Sequence, residues 1–354
     1  YLYAKESIET PDGKILRDYP RLRFGGVHLQ DIERDWLGDI VQKTVFGALA
    51  GLLLCVLPIA AIWILFLRQR GTQLPLSKVA NNPRKALLIT TLLLATFFGA
   101  VSNLAASYHV LGTDKVGQDV LYLALKSIRT GLVIGTITTL VTLPFALLLG
   151  VAAGYFRGWV DDIIQYIYTV LISIPSVLLI AAAVLMMMQV TIEMHPEWFE
   201  TSAARADVRL LSLCLILGLT SWTGLCRLLR GETLKLRELE YIQAAQAFGV
   251  SSPRIITQHI MPNVMHIVLI AMVMDFSGLV LAEAVLSYVG VGVDPSTMSF
   301  GTLINAARLE MGREPVVWWT LAAAFGFMLV LVLAANLFAD VVRDAFDPRL
   351  SHKS

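Results

Sequence analysis

Residues 238–262 read Glu-Leu-Glu-Tyr-Ile-Gln-Ala-Ala-Gln-Ala-Phe-Gly-Val-Ser-Ser-Pro-Arg-Ile-Ile-Thr-Gln-His-Ile-Met-Pro, a polar insert between two long apolar runs. Tyr241 to Phe248 forms a short helix kept slim by Ala244, Ala245 and Ala247. Gly249 follows where a helix end calls for a left-handed residue. Ser252 and Pro253 pair an N-cap with a first-turn proline and start a second short helix. Pro262 heads the next apolar run. A short helix with a pared-down surface, held outside the bilayer, suits docking in a groove on a partner. The competing reading is an ordinary amphipathic connector.

The surrounding composition makes this a membrane protein. Of 354 residues 56% are hydrophobic and only 16% charged, against about 25% charged in a soluble domain. A net charge of +1 gives no pointer to nucleic acid. Cys55, Cys214 and Cys226 fall in or beside apolar runs and read as small apolar fillers. No disulfide framework or CxxC pattern occurs.

Seven apolar runs are long enough to cross about 30 Å of hydrocarbon as helices. They are 46–67, 87–108, 130–154, 165–189, 208–229, 264–288 and 317–339, with Asn82-Pro83 opening the second. Fourteen lysines and arginines lie in one set of connections and six in the alternate set. The richer set is cytoplasmic, which places the 238–262 insert and the C-terminus inside. Residues 1–45, with seven basic and eight acidic residues, then lie outside. That placement predicts a further transmembrane helix before Tyr1.

The insert resembles the EAA loop of bacterial ABC importer permeases, roughly E-A-A-x(3)-G-x(9)-I-x-L-P. Gln243-Ala244-Ala245, Gly249 and Ile260-Met261-Pro262 carry the match, with Gln243 in place of the acid and Met261 in place of the leucine. Four further stretches are similar to motifs of the dipeptide/oligopeptide/nickel branch, the C-type permease subunit. They are Gly112-Thr113-Asp114-Lys115-Val116-Gly117-Gln118-Asp119, Ala153–Asp161, Glu283–Gly292 and Val342–Arg349. The resemblance spans about Asn81 to Arg349. It implies an all-α integral membrane fold, a multi-span helical bundle of the type I ABC importer kind. The extra pieces are an outer segment (1–45) and an additional helix with its linker (46–80). The core (81–349) carries six helices and 350–354 is a tail. A bacterial inner-membrane location is implied.

The resemblance also implies two cytoplasmic ATPases, a second related permease and an extracytoplasmic solute-binding protein as partners. Tyr241, Gln243, Ala244, Ala245, Gly249, Arg254, Ile260 and Pro262 would then form the coupling surface. ATPase closure would push the loop helix and tilt the spans, a two-state element biased by nucleotide. No G-x-x-x-x-G-K-[ST], HExxH or GxSxG occurs, so this chain cradles no nucleotide and carries no such catalytic or metal site. ATP and Mg2+ would belong to the partner ATPases. His259 and His266 read as structural residues near a helix terminus.

Inside the spans, Asp275 has two readings, a translocation-path residue or a paired structural acid. Glu283, eight residues on and nearer the outer surface, reads as packing or gating. Methionines at 186–188, 261, 265, 272 and 274 could line a passage, though such residues are more often core or lipid-facing fill. Gly112, Thr113, Asp114, Gly117 and Asp119 mark the outer mouth, with Thr113, Asp114 and Asp119 read as caps and turn residues. Trp318-Trp319 reads as an interfacial anchor.

The expected activity is ATP-driven import of di- or oligopeptides. The alternatives are the same architecture carrying nickel or another small solute, and an ion-driven secondary transporter. The latter class predicts inverted repeats and broken helices at the midplane, and no clear repeat is seen.

Overall fold

The protein is described by a computed structural model over residues 6–9, 15–18, 28–29, 32–70, 83–190, 201–312 and 316–346. Asn82, most of the 1–45 segment, the 71–80 linker, Arg313, the Asp347-Pro348-Arg349 end of the C-terminal motif and the 350–354 tail lie outside the described residues. The helices are α1 (Ile32–Arg70), α2 (Pro83–Ala105), α3 (Val120–Phe156), α4 (Gly158–Ser173), α5 (Ser176–Met188) and α6 (Ser202–Arg237). After them come α7 (Glu240–Ala247), α8 (Ser252–Ile255), a π turn (Ile256–Ile260), α9 (Met261–Val289), α10 (Phe300–Glu310) and α11 (Trp319–Phe346). Hydrocarbon offers no hydrogen bonds, so apolar spans must satisfy their backbone internally, as helices do.

Among the described residues six helices are long and apolar enough to cross a membrane, and α4 with α5 makes a seventh crossing if the bent pair counts as one. The expected continuous span over 165–189 is corrected here: the chain turns through 91° between Ser173 and Ser176. Pro175 has no N–H to continue the helix, and its ring drives the preceding residue out of the α region. Ile174 accordingly sits at φ −93°, ψ 131°. The Pro175 carbonyl then accepts from Leu178 and Leu179 and restarts the helix.

The chain divides into two compact units, Tyr1–Leu121 and Tyr122–Ser354. In the first, a short antiparallel pair of strands (Glu6–Glu9 with Ile15–Asp18) precedes the α1/α2 pair. α1 begins at Ile32 and so runs through the 45/46 boundary expected from hydropathy. Polar contacts hold that extension: Asp39 pairs with Lys43 one turn on, the Tyr108 hydroxyl donates to the Asp39 carboxylate at 2.6 Å, and Lys43 donates to Ser107 at 2.7 Å. Burial and the neighbouring carboxylate push the Tyr108 phenol above its ordinary pKa.

α1 and α2 approach at backbone distance, because small residues permit close packing in membranes. A Cβ on Gly51 would lie 2.2 Å from the Ala95 carbonyl, and one on Gly99 would lie 2.4 Å from the Gly47 carbonyl. Gly51→Leu must therefore force the pair apart. We expect a loss of about 1–3 kcal/mol, read as faster tryptic cleavage of the detergent-solubilised chain.

In the second unit, α3 and α6 run side by side in the same direction. Gly150 meets Cys226 and Leu229, Gly154 meets Arg230 and Thr233, and Gly218 meets Val141. Parallel neighbours require the intervening chain to return, so α4 and α5 together serve as one crossing. α3 begins at Val120, directly after the Gly112–Asp119 turn, and runs to Phe156 as one helix of 37 residues. α10 lies between α9 and α11 in the chain and was not foreseen. Its signal was present, since Ser299 and Thr302 form a reciprocal capping box.

Candidate functional site

The 238–262 segment folds as two short helices whose inner side is nailed into the bundle. Ile242, Ile255 and Ile260 are fully buried and join a core cluster with Tyr155, Ile164, Trp222, Leu229 and Val264. The opposite side is open: Tyr241, Gln243, Ala244 and Ala247 are exposed, and Phe248 is 87% exposed. Ala245 is half-buried. α7 ends as its sequence demands, with Gly249 at φ +76°. The Gly249 N–H bonds the Gln246 carbonyl and the Val250 N–H bonds the Ala245 carbonyl, both at 3.0 Å, a Schellman closure. Gly249→Val places a branched side chain in the left-handed region. It is expected to weaken this turn by roughly 1–2 kcal/mol and to lower nucleotide-coupled uptake in reconstituted vesicles.

The N-cap of α8 is Ser251, not Ser252, and no side chain caps it. Proline is as well tolerated at the second position as at the first, because neither N–H has an intrahelical partner. Arg254 is exposed and donates to Gln258 at 3.3 Å. Pro262 can give no N–H to the Gln258 carbonyl, and its ring would crowd that oxygen in an α-helix. The backbone widens into the π turn, with the Met261 N–H reaching back to Ile256, and the helix continues unbroken into α9. Tyr241 lies edge-on to His259 at 6.0 Å and is within 3.4 Å of the Asn263 amide.

One ion pair ties this loop to the α3–α4 turn, and a second ties α6, from which the loop hangs, to α4. Arg157 adopts φ 58°, a strained conformation for a residue with a side chain, and its guanidinium is held by Glu238. The Gln243 amide donates to the Glu238 carbonyl at 3.2 Å and to its carboxylate at 3.4 Å. An acid at 243 would face that carboxylate as a like charge, which gives Gln243 a physical reason. One turn deeper, Arg230 grips Asp161 bidentately, Nε to Oδ1 at 2.5 Å and Nη2 to Oδ2 at 2.7 Å. Sequence reading missed Phe248 and both ion pairs. An aromatic just before the glycine of a polar helix was the available signal for the first. The pairs join residues 69 and 81 positions apart and left no local trace.

The residues read as path or gate are not brought together with the loop. Asp275 is exposed in this chain and borders a narrow pocket whose polar lining is Thr139, Thr142 and Ser221. Glu283 is fully buried. The Ser287 hydroxyl donates to Glu283 Oε1 at 2.6 Å and accepts from the Val293 N–H at 3.1 Å. Arg209 closes the same joint by donating to the Gly292 carbonyl at 2.8 Å. Glu283→Ala leaves a cavity and unpairs Ser287. A loss of about 2–3 kcal/mol is expected, read from the thermal midpoint in detergent.

Gly112–Asp119 is a closed turn in the first unit. Asp114 accepts from the N–H groups of Val116 and Gln118 at 2.9 and 2.8 Å, Gly112 and Gly117 take positive φ, and Thr113 bridges Asp119. Asp119 also holds His109 at 2.6 Å. The Asp294–Thr297 turn closes through a 2.8 Å backbone bond. Burial alone would raise the pKa of Asp294, but bonds from Ser296 and the Arg209 and Arg205 charges outweigh it and hold the carboxyl below its ordinary value. Trp318 and Trp319 pack edge to face at 6.4 Å. Cys214 and Cys226 are buried and free. Among the described residues no three His, Cys, Asp or Glu side chains group as metal ligands.

A family model described as "Binding-protein-dependent transport system inner membrane component" matches residues 146–352. The chain is 32% identical to the oligopeptide transport system permease protein of Mycobacterium tuberculosis, covering 71% of this chain and 79% of that one. It is 29% identical to the dipeptide transport system permease protein of Lactococcus lactis, over 69% of this chain and 64% of the relative. Identity to the glutathione transport system permease protein of Pectobacterium atrosepticum is 32%, over 69% and 74%. Among solved structures, an inward-facing MetNI methionine ABC transporter is similar with a TM-score of 0.47 at 16% identity, covering 64% of this chain and 96% of that one. The matched stretch spans more than half of the chain and takes in the 238–262 loop, the bent pair and the α9–α11 joint, so this multi-pass protein belongs to the family of inner membrane components of binding-protein-dependent transport systems.

Proposed function

We propose that this chain is the C-type permease subunit of an ATP-driven importer of short peptides. The observation that carries the reading is the two-sided loop: three buried isoleucines fix it to the bundle while Tyr241, Ala244, Ala247 and Phe248 face outward. A rigidly held helix with an exposed aromatic tip transmits a push from a docked partner into α6 and α9. Gln243, Gly249, Arg254 and Pro262 shape that surface rather than perform chemistry.

Two ATPase subunits would supply nucleotide and Mg2+, and a second, related permease would complete the path. A solute-binding protein would deliver cargo to the outer mouth built on Gly112–Asp119. The loop and the C-terminus lie on the cytoplasmic side, by the excess of arginine and lysine there. The peptide cargo is favoured by the relatives, which are permease proteins of oligopeptide, dipeptide and glutathione transport systems. Residues 81–349 form the transport core, with 1–45 and 46–80 as additions to it.

The test is uptake into vesicles holding this chain with its ATPases, second permease and binding protein. ATP-dependent accumulation of labelled di- to pentapeptides is expected. Uptake driven by an ion gradient without ATPases would overturn the reading, and ATP-driven uptake of nickel alone would move the cargo assignment to the metal.

A further inference from the structure

α9, α10 and α11 leave a groove of about 530 Å3 at the end of the second unit opposite the docking loop. Its walls are apolar, with Leu281 and Val285 from α9 and Phe325 and Met328 from α11. Leu281 and Tyr288 are seven positions apart, so the groove runs roughly 10 Å along the helix axis. Among the described residues that line it, the one charged group is Arg308 of α10. The guanidinium lies over the Tyr288 ring, 5.0 Å from its centroid, and donates to the Tyr288 hydroxyl and the Asn305 side-chain oxygen, each at 3.3 Å. All three partners are neutral. They orient the planar fork without cancelling its charge, which suits it to an anionic, oxygen-rich group.

We propose that this groove binds an anionic phospholipid, with one acyl chain against Val285, Phe325 and Met328 and the phosphate on Arg308. α11 starts at Trp318-Trp319, residues that favour the interface of a bilayer. That puts Arg308 at headgroup depth and the apolar walls in hydrocarbon. A lipid carries both required chemistries in one molecule and enters sideways from the membrane. A water-borne peptide would have to leave its backbone groups unpaired against the apolar walls. An apolar helix of a second permease would bury the guanidinium without a counter-charge.

Native mass spectrometry of the full chain in mild detergent tests this, with phosphatidylglycerol and phosphatidylcholine of identical acyl chains as probes. The unaltered protein is expected to retain phosphatidylglycerol roughly fivefold better. Arg308→Gln should bring it to the phosphatidylcholine level, and Arg308→Lys should keep part of the preference. Val285→Trp, at a site that is half exposed, fills the groove and should reduce retention of both lipids. Unchanged preference in Arg308→Gln, or unchanged retention in Val285→Trp, overturns the proposal. So does efficient cross-linking of Val285→Cys to the second permease in the assembled complex, because a helix and a lipid chain cannot share the groove.

Discussion

Phe248→Ala is expected to lower the affinity for the ATPase subunits about 30-fold or more, while the permease itself stays folded. The ring is 87% exposed, so its removal takes little packing from the folded chain. A phenylalanine at an interface buries about 150–250 Å2, and aromatic anchors of this kind contribute about 2 kcal/mol or more when truncated. The neighbouring Ala244 and Ala247 leave room around it, so a partner groove can enclose the ring. Co-purification of the ATPases from detergent and ATP-dependent uptake should fall together, with the thermal midpoint unmoved. Wild-type binding by the alanine variant would refute the docking role of this helix.

Arg230→Ala is expected to act in the opposite manner, destabilising the permease first and coupling second. Arg230 and Asp161 form a two-bonded pair with side chains 23% and 12% exposed. Removing one partner of such a pair strands the other in a poor solvent, at a loss of up to 3–5 kcal/mol when fully buried. Partial exposure reduces this to about 2–3 kcal/mol by solvent screening. The pair joins α4 to α6, and the loop hangs directly from the end of α6, so a loosened joint also blurs the position of Phe248. Asp161→Asn in the same chain should recover part of the loss, because the remaining acid no longer needs a cation. A thermal midpoint unchanged in Arg230→Ala would show that the pair adds nothing to stability.

These two residues mark how much of the site was legible in the linear chain. Gly249 announced itself, because the requirement for positive φ at a helix end is local and selects glycine. Pro262 announced a helix start, and the structure refines that to a π turn feeding an uninterrupted α9. Asp114 was readable as a turn residue because its carboxylate bonds backbone N–H groups a few residues on. Arg157, Glu238, Asp161 and Arg230 were not, since each looks like an ordinary basic or acidic residue of a cytoplasmic connection. Their pairing depends on α3 and α6 lying side by side, which Gly150 and Gly154 allow and no periodicity reveals. Pro175 gave a visible warning inside an apolar run, but hydropathy averaged over a window treats a bent pair and a straight span alike.

By itself the sequence determined the class, the near-continuous helical content, the number of apolar crossings and the polar insert on which the family rests. These follow from composition and from short-range backbone chemistry, which act within a few residues. Tertiary structure alone decided which side of the 238–262 insert is free. Ile242, Ile255 and Ile260 lie no farther than 18 positions apart, yet their common burial reflects the placement of Trp222, Tyr155 and Leu229 beneath them. Burial of a side chain is a property of what packs against it, and here those packing partners come from two other helices, α3 and α6.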